Sequence, residues 1–264
     1  MPYLDLPTHR LHYRIDGPAG DGPAGAAPWL TFCNSLGTDM HMWDAQIDAL
    51  ASEFRILRYD SRGHGRSSAP RPPYSLAELG GDVIALLDAL AIGRTHFCGL
   101  SIGGLTGQWL AIHHSARFGR MAVCATAARI GTTDGWNTRI AEVRANGLGP
   151  LVPVTVERWF TPAFRQQEPE TVDRILTTFA ATSTEGYIGC CAALAAADLH
   201  DSLDRIANPL LAISGSEDPV CPPTDLGDIA KGVREGRHLS LPGRHIVNAE
   251  SAREFNAALV DFLS

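Results

Sequence analysis

Ser101 is the lone hydroxyl in Gly99-Leu100-Ser101-Ile102-Gly103-Gly104, a stretch that follows an apolar run and precedes a helical pattern. Glycines at 99 and 103 leave room for a sharp bend that side chains would obstruct, so the Gly-x-Ser-x-Gly pattern lifts the serine oxygen above a strand-to-helix turn. Serine is a poor nucleophile at neutral pH and needs a base held in place by an acid. With this kind of turn the partners come in the order Ser, acid, His, each in a loop after a late strand. Asp218, after "LLAISGSE", and His245, after "HLSLPGR", satisfy that order. Glu217 and Asp225 compete for the acid's place, but Asp218 opens the turn into Pro219, whereas Asp225 starts a helix and Glu217 needs a different backbone direction. Of ten histidines, only His245 sits in the right late loop; His238 is read as structural, and His113 and His114 lie near the end of the helix that follows Ser101.

Acyl transfer at a serine also needs two donors for the developing oxyanion. One is the backbone N–H of Ile102, next to the nucleophile and at the positive end of a helix. The other belongs to the loop after the strand at 29–34, where "CNSLGTD" offers the N–H of Leu36, with Ser35 as the alternative. Competing chemistries find less support. "DSRGHGRS" lacks the GxxxxGK[ST] phosphate cradle, and Asp60, Arg62, Gly63 and Gly65 read as internal support of a tight loop at the site's rim. No HExxH and no His/Cys/Asp cluster with metal-ligand spacing occurs, so no metal is expected.

The elements that must position these residues follow from periodicity. Residues 3–15 alternate weakly, as two short strands, and "DGPAGDGPAGAAP" at 16–28 is a loop. Strands at 29–34, 54–60 and 120–127 and in "THFCGL" alternate with helices at 40–51, 76–90 and 102–116, which predicts an α/β fold: a mostly parallel sheet with helices on both faces. Between 130 and 205 the strands stop and only helical patterns appear, so we expect a core of 1–129 and 206–264 with an inserted helical cap at 130–205. A strand in "PLLAISG", a helix at 224–233, a strand at 237–241 and a helix over 247–263 complete the chain.

Composition narrows the partners. A net charge of −7 gives no general attraction for nucleic acid or an anionic membrane, and a small anionic ligand needs a local cation. Six cysteines without CxxC spacing read as buried thiols of a reducing cytoplasm, and neither a signal peptide nor a membrane span is recognisable. The oligomeric state is left open.

With "GLSIGG", "RYDSRGHGRSS" and "SGSEDPV…PGRH" in place, the chain resembles the α/β-hydrolase superfamily over nearly its full length. "NSLGTDMHMWDAQ" at 34–46 and "YIGCCAALAAADL" at 187–199 narrow the resemblance to 3-oxoadipate enol-lactonases of the β-ketoadipate pathway. That resemblance implies opening of a carboxymethyl-substituted enol-lactone to 3-oxoadipate in aromatic-compound breakdown, with the small anionic lactone and water as reactants and no organic cofactor. A carboxylesterase or lactonase of other specificity, and a noncatalytic hydrolase-fold receptor or scaffold, are the alternatives. The implied carboxylate needs a cation: Arg129, just after the strand at 120–127, is the first candidate, ahead of Arg139 and Arg144 on the first cap helix. Trp136 reads equally as an apolar wall over the ring or as part of the cap's own core, and Cys190 and Cys191 are small buried packing residues rather than nucleophiles.

Overall fold

The computed structural model describes residues 2–18 and 27–264; most of the Gly/Pro-rich loop, residues 19–26, lies outside the described set. The two expected N-terminal strands are β1 (Tyr3–Asp5) and β2 (Arg10–Asp16). They pair antiparallel with each other, and β2 pairs antiparallel with β4 (Arg55–Tyr59). β3 (Trp29–Cys33), β5 (Thr95–Leu100), β6 (Phe118–Cys124), β7 (Leu210–Gly215) and β8 (Gly236–Leu241) continue in parallel, giving the order β1-β2-β4-β3-β5-β6-β7-β8. β3, β5 and β7 are apolar nearly throughout because central parallel strands are covered on both faces.

Two groups of helices supply that cover. α2 (Leu76–Ala89) packs on α3 (Ile102–His114), and α3 lies along β5 and β6. α1 (Asp44–Leu50) packs against α11 (Ala252–Leu263). α2 shows how sequence makes one of these helices. Ser75 and Glu78 form a reciprocal capping box at its start, and Leu79, Val83, Leu86 and Leu87 recur on one buried stripe. Each of those leucines stabilises the fold by about 1.5–3 kcal/mol relative to an exposed side chain.

Element ends depart from the periodicity at three places. The helix expected at 40–51 begins as a 3-10 turn, Met40–Trp43, capped by the Asp39 carboxylate on the His41 N–H. The strand expected to reach 127 stops at Cys124, because Ala125 adopts φ 42° and the Thr126 hydroxyl turns to the Ser101 carbonyl. The C-terminal helix is broken at Ser251 (φ −117°, ψ 44°), whose hydroxyl donates to the Pro242 carbonyl. That break separates α10 (Val247–Glu250) from α11.

Between β6 and β7 the chain is helical: α4 (Thr133–Asn146), α5 (Val152–Trp159), α6 (Pro162–Gln167), α7 (Pro169–Ala181) and α8 (Thr184–Ala196). α9 (Pro223–Gly232) then crosses from β7 to β8. No helix among the described residues is long and apolar enough to cross a membrane. α8 is buried almost all round, and its small residues allow that. A Cβ on Gly186 would lie 2.3 Å from the Gly63 carbonyl oxygen, and one on Gly189 would lie 2.4 Å from the Tyr74 ring. The "GCCAAL" stretch is therefore a contact surface that lets the inserted helices sit directly on the loop after β4.

Gly63 combines this close approach with φ +74°, and a Cβ there would lie 2.2 Å from Gly186 Cα. Gly63→Ala should destabilise the protein by about 2–4 kcal/mol, from left-handed strain plus overpacking. Urea unfolding checks this: the midpoint should fall with the slope unchanged.

Candidate active site

Ser101 sits between β5 and α3 with φ 58° and ψ −119°, a conformation that costs a non-glycine residue about 1–3 kcal/mol. Hydrogen bonds hold it there. Its N–H donates to the Cys124 carbonyl (2.9 Å), and its carbonyl accepts from the Thr126 hydroxyl (2.8 Å). The glycines supply clearance: a Cβ on Gly99 would lie 2.3 Å from the Gly103 oxygen, and one on Gly103 would lie 2.3 Å from the Cys33 oxygen. α3 thus starts flush against the end of β3, with its N-terminus beside the serine.

The other two expected residues meet in a dry environment. His245 Nδ1–H donates to Asp218 Oδ2 at 2.8 Å, with the histidine 2% and the aspartate 3% exposed. The second oxygen, Asp218 Oδ1, accepts from the N–H groups of Val220 (2.8 Å) and Cys221 (3.2 Å), so the carboxylate is fixed by the turn after β7. Glu217 is exposed, and Asp225 lies in the first turn of α9. His238 lies on β8 and pairs with the Ser214 hydroxyl (3.0 Å), away from this grouping.

Ser101 and His245 line a common pocket of about 400 Å³. Leu36, Trp136 and Arg139 line it too. The Trp136 indole N–H is tied to the Ile130 carbonyl (2.6 Å), which orients the ring. Among the described residues the N–H groups of Leu36 and Ile102 have no protein acceptor, whereas the Ser35 N–H donates to Met42 Sδ (3.3 Å). Of the two alternatives, the Leu36 N–H is unengaged and the Ser35 N–H is taken up by Met42.

Arg129 and Arg144 do not line the pocket. The early end of β6 carries Arg129 outward, where it pairs with Asp198 at 3.4 Å with about two-fifths of its side chain exposed. Arg144 is exposed near the far end of α4. Arg158 on α5, which the sequence did not single out, lines the pocket with Arg139. No motif marks it; only the packing of the inserted helices brings it there. Arg139 has one weak acidic neighbour, Glu142 at 3.7 Å.

The remaining titratable groups argue against other chemistry. Burial and the nearby Cys191 push the Tyr187 phenol well up, against the opposing pull of the Arg139 guanidinium, so it remains neutral. Burial pushes the Cys191 thiol up to about 12, which removes it as a nucleophile. Asp218, Cys221 and His245 offer ligand atoms within 4.8 Å of one another, the only such group among the described residues. Burial, then Asp218 and Asp225, raise the Cys221 thiol well above its usual range. A protonated thiol is a poor metal ligand, and the paired carboxylate and imidazole suit proton transfer better.

The histidine loop is anchored on both sides. Arg244 N–H donates to Glu250 Oε1 (2.7 Å), while Glu250 Oε2 accepts from the N–H (3.0 Å) and hydroxyl (2.6 Å) of Thr161, between α5 and α6. Ile246 N–H donates to the Trp159 carbonyl (3.2 Å), and the Arg244 guanidinium donates to the Glu157 carbonyl.

The family described as "alpha/beta hydrolase fold" matches residues 28–252. 3-Oxoadipate enol-lactonase 2 of Acinetobacter baylyi is 45% identical over 94% of this chain and 91% of its own length. 3-Oxoadipate enol-lactonase 1 of the same organism is 41% identical over 93% and 90%. The crystal structure of the enol-lactonase from Burkholderia xenovorans LB400 superposes with a TM-score of 0.95 at 44% identity, covering 99% of each chain. The chain belongs to the α/β-hydrolase family and is closely related to its 3-oxoadipate enol-lactonases.

Proposed function

We propose that the chain hydrolyses 3-oxoadipate enol-lactone to 3-oxoadipate through an acyl-enzyme on Ser101. The observation that carries this reading is the convergence of Ser101, the Asp218-bound His245 and the guanidinium of Arg139 on one pocket, in a chain 45% identical to an enol-lactonase. In this scheme the Ser101 oxygen attacks the lactone carbonyl and passes its proton to His245 Nε2, the ring nitrogen not engaged by Asp218. The N–H groups of Ile102 and Leu36 receive the oxyanion, each worth about 3 kcal/mol to the transition state. The ring oxygen leaves as an enol, protonated through His245, and tautomerises to the ketone. Water, deprotonated by the same imidazole, then releases 3-oxoadipate and restores Ser101.

Substrate recognition falls to the inserted helices, residues 130–205, acting as a cap. Arg139, only 22% exposed, is the primary partner for the lactone's carboxylate, with Arg158 beside the same pocket. Arginine suits the task because its fork matches a carboxylate's two oxygens. Trp136 walls the ring.

Loss of the enol-lactone, followed in the ultraviolet, tests these roles on variants first shown to be folded. Ser101→Ala and His245→Ala should each lower kcat by about 10⁴-fold or more. His238→Ala should stay close to wild type; if it falls as far as His245→Ala, the base is misassigned.

Arg139→Met should lower kcat/KM for the lactone by about 1.5–3 kcal/mol in activation free energy, the worth of a charged hydrogen bond. Arg129→Met, which breaks only an exposed pair, should change stability by less than about 1 kcal/mol and leave lactone turnover at the wild-type level. The reverse order of effects would return the carboxylate site to Arg129.

A further inference from the structure

We infer that the same pocket hydrolyses a second class of substrate: acyclic half-esters of linear dicarboxylic acids of adipate length, with a free carboxylate at the end of the acyl chain. The inference rests on the enol-lactonase reading and extends it. Once the ring opens, the acyl group on Ser101 is no longer cyclic but a six-carbon chain with a carboxylate at its far end. The second half of the reaction therefore requires a pocket that holds such a chain extended between Ser101 and a cation. Ser101 and Arg139 face one pocket, and the Arg139 guanidinium is left unsaturated by Glu142 at 3.7 Å.

A half-ester of adipic acid reaches an equivalent state from the other direction. The Ser101 oxygen bonds to the ester carbonyl carbon, the bond from that carbon to the alcohol oxygen breaks, and the serine proton travels through His245 to the departing oxygen. Water then adds to the acyl carbon, gives its proton to His245, and the Ser101 oxygen leaves and recovers that proton. One half-ester and one water yield one alcohol and one dicarboxylic acid, with no redox partner.

The pocket has room for the departing alcohol. Its volume of about 400 Å³ falls in the range that encloses drug-sized ligands, whereas the enol-lactone has only about ten non-hydrogen atoms. Part of the remaining wall is apolar: Val154, Trp159, Phe179 and Leu194 line the pocket beside Thr155 and Arg158, and Val154 is 38% exposed to solvent. An uncharged aryl or benzyl alcohol group matches that wall while the carboxylate takes Arg139. An ester without the carboxylate leaves the guanidinium with only its long pair to Glu142 and forfeits the anchor.

The test compares mono(4-nitrophenyl) adipate with 4-nitrophenyl hexanoate, esters of matched chain length that differ at the terminal carboxylate, on enzyme first shown to turn over the enol-lactone. The half-ester should be preferred in kcat/KM by about ten-fold or more, and Arg139→Met should collapse that preference toward unity. Equal or better use of the hexanoate, or a half-ester that competes with the lactone without being cleaved, overturns the inference while the lactonase reading stands. Enzyme that turns over esters but not the lactone overturns the reading itself, and the inference with it.

Discussion

The site depends on one strained residue. Ser101 occupies a backbone conformation that L-residues avoid, and it stays there because the neighbouring structure determines it several times over. Its N–H and carbonyl are both taken, by Cys124 and Thr126, residues at and just past the end of β6. α3 is pressed so closely to the end of β3 that only glycine fits at 103. The cost of the strain is small beside the burial of three parallel strands and the helices on them, so the core can hold the hydroxyl ready before any substrate arrives. The same close approach of α3 to β3 brings the Ile102 N–H near the loop that carries Leu36.

A second layer of constraint joins the inserted helices to the sheet. Gly63 and Gly186 touch backbone to backbone, and Tyr74 packs on Gly189 and donates its N–H to the Gly189 carbonyl (3.2 Å). The loop around Gly63 is itself rigid. Asp60 accepts from the N–H groups of Met40 and Arg66 and from His12, and Arg62 makes a two-point bond to the buried Asp82. The seat for α8 is therefore built of ion pairs and hydrogen bonds, which permits small, otherwise featureless residues on the helix above.

Much of this was legible in the residues because each feature had a local cause. The serine turn announces itself through glycines that sterics demand, and the strand alternation through apolar runs. The order of Asp218 and His245 follows from where parallel strands end. The cations were not legible in this way. Arg129 was favoured by its nearness to a strand end in sequence, but Ala125 turns the chain three residues earlier than the apolar run suggests. Arg158 lies in "VERWF", where nothing local separates it from a surface charge. Which arginine faces the pocket is decided by how α4 and α5 pack, and side-chain periodicity on short helices with mixed polarity carries little of that information.

The hydrogen bonds of Glu250 give the histidine a double allegiance. One carboxylate oxygen holds the backbone just before His245, and the other holds Thr161 at the joint between α5 and α6. Ile246, on the other side of His245, is tied to Trp159 at the end of α5. The imidazole is thus suspended between the sheet, through Asp218, and the helices that form the pocket's roof. A displacement of α5 or α6 would therefore pull on the loop that carries His245, so the pocket wall and the imidazole share one mechanical frame.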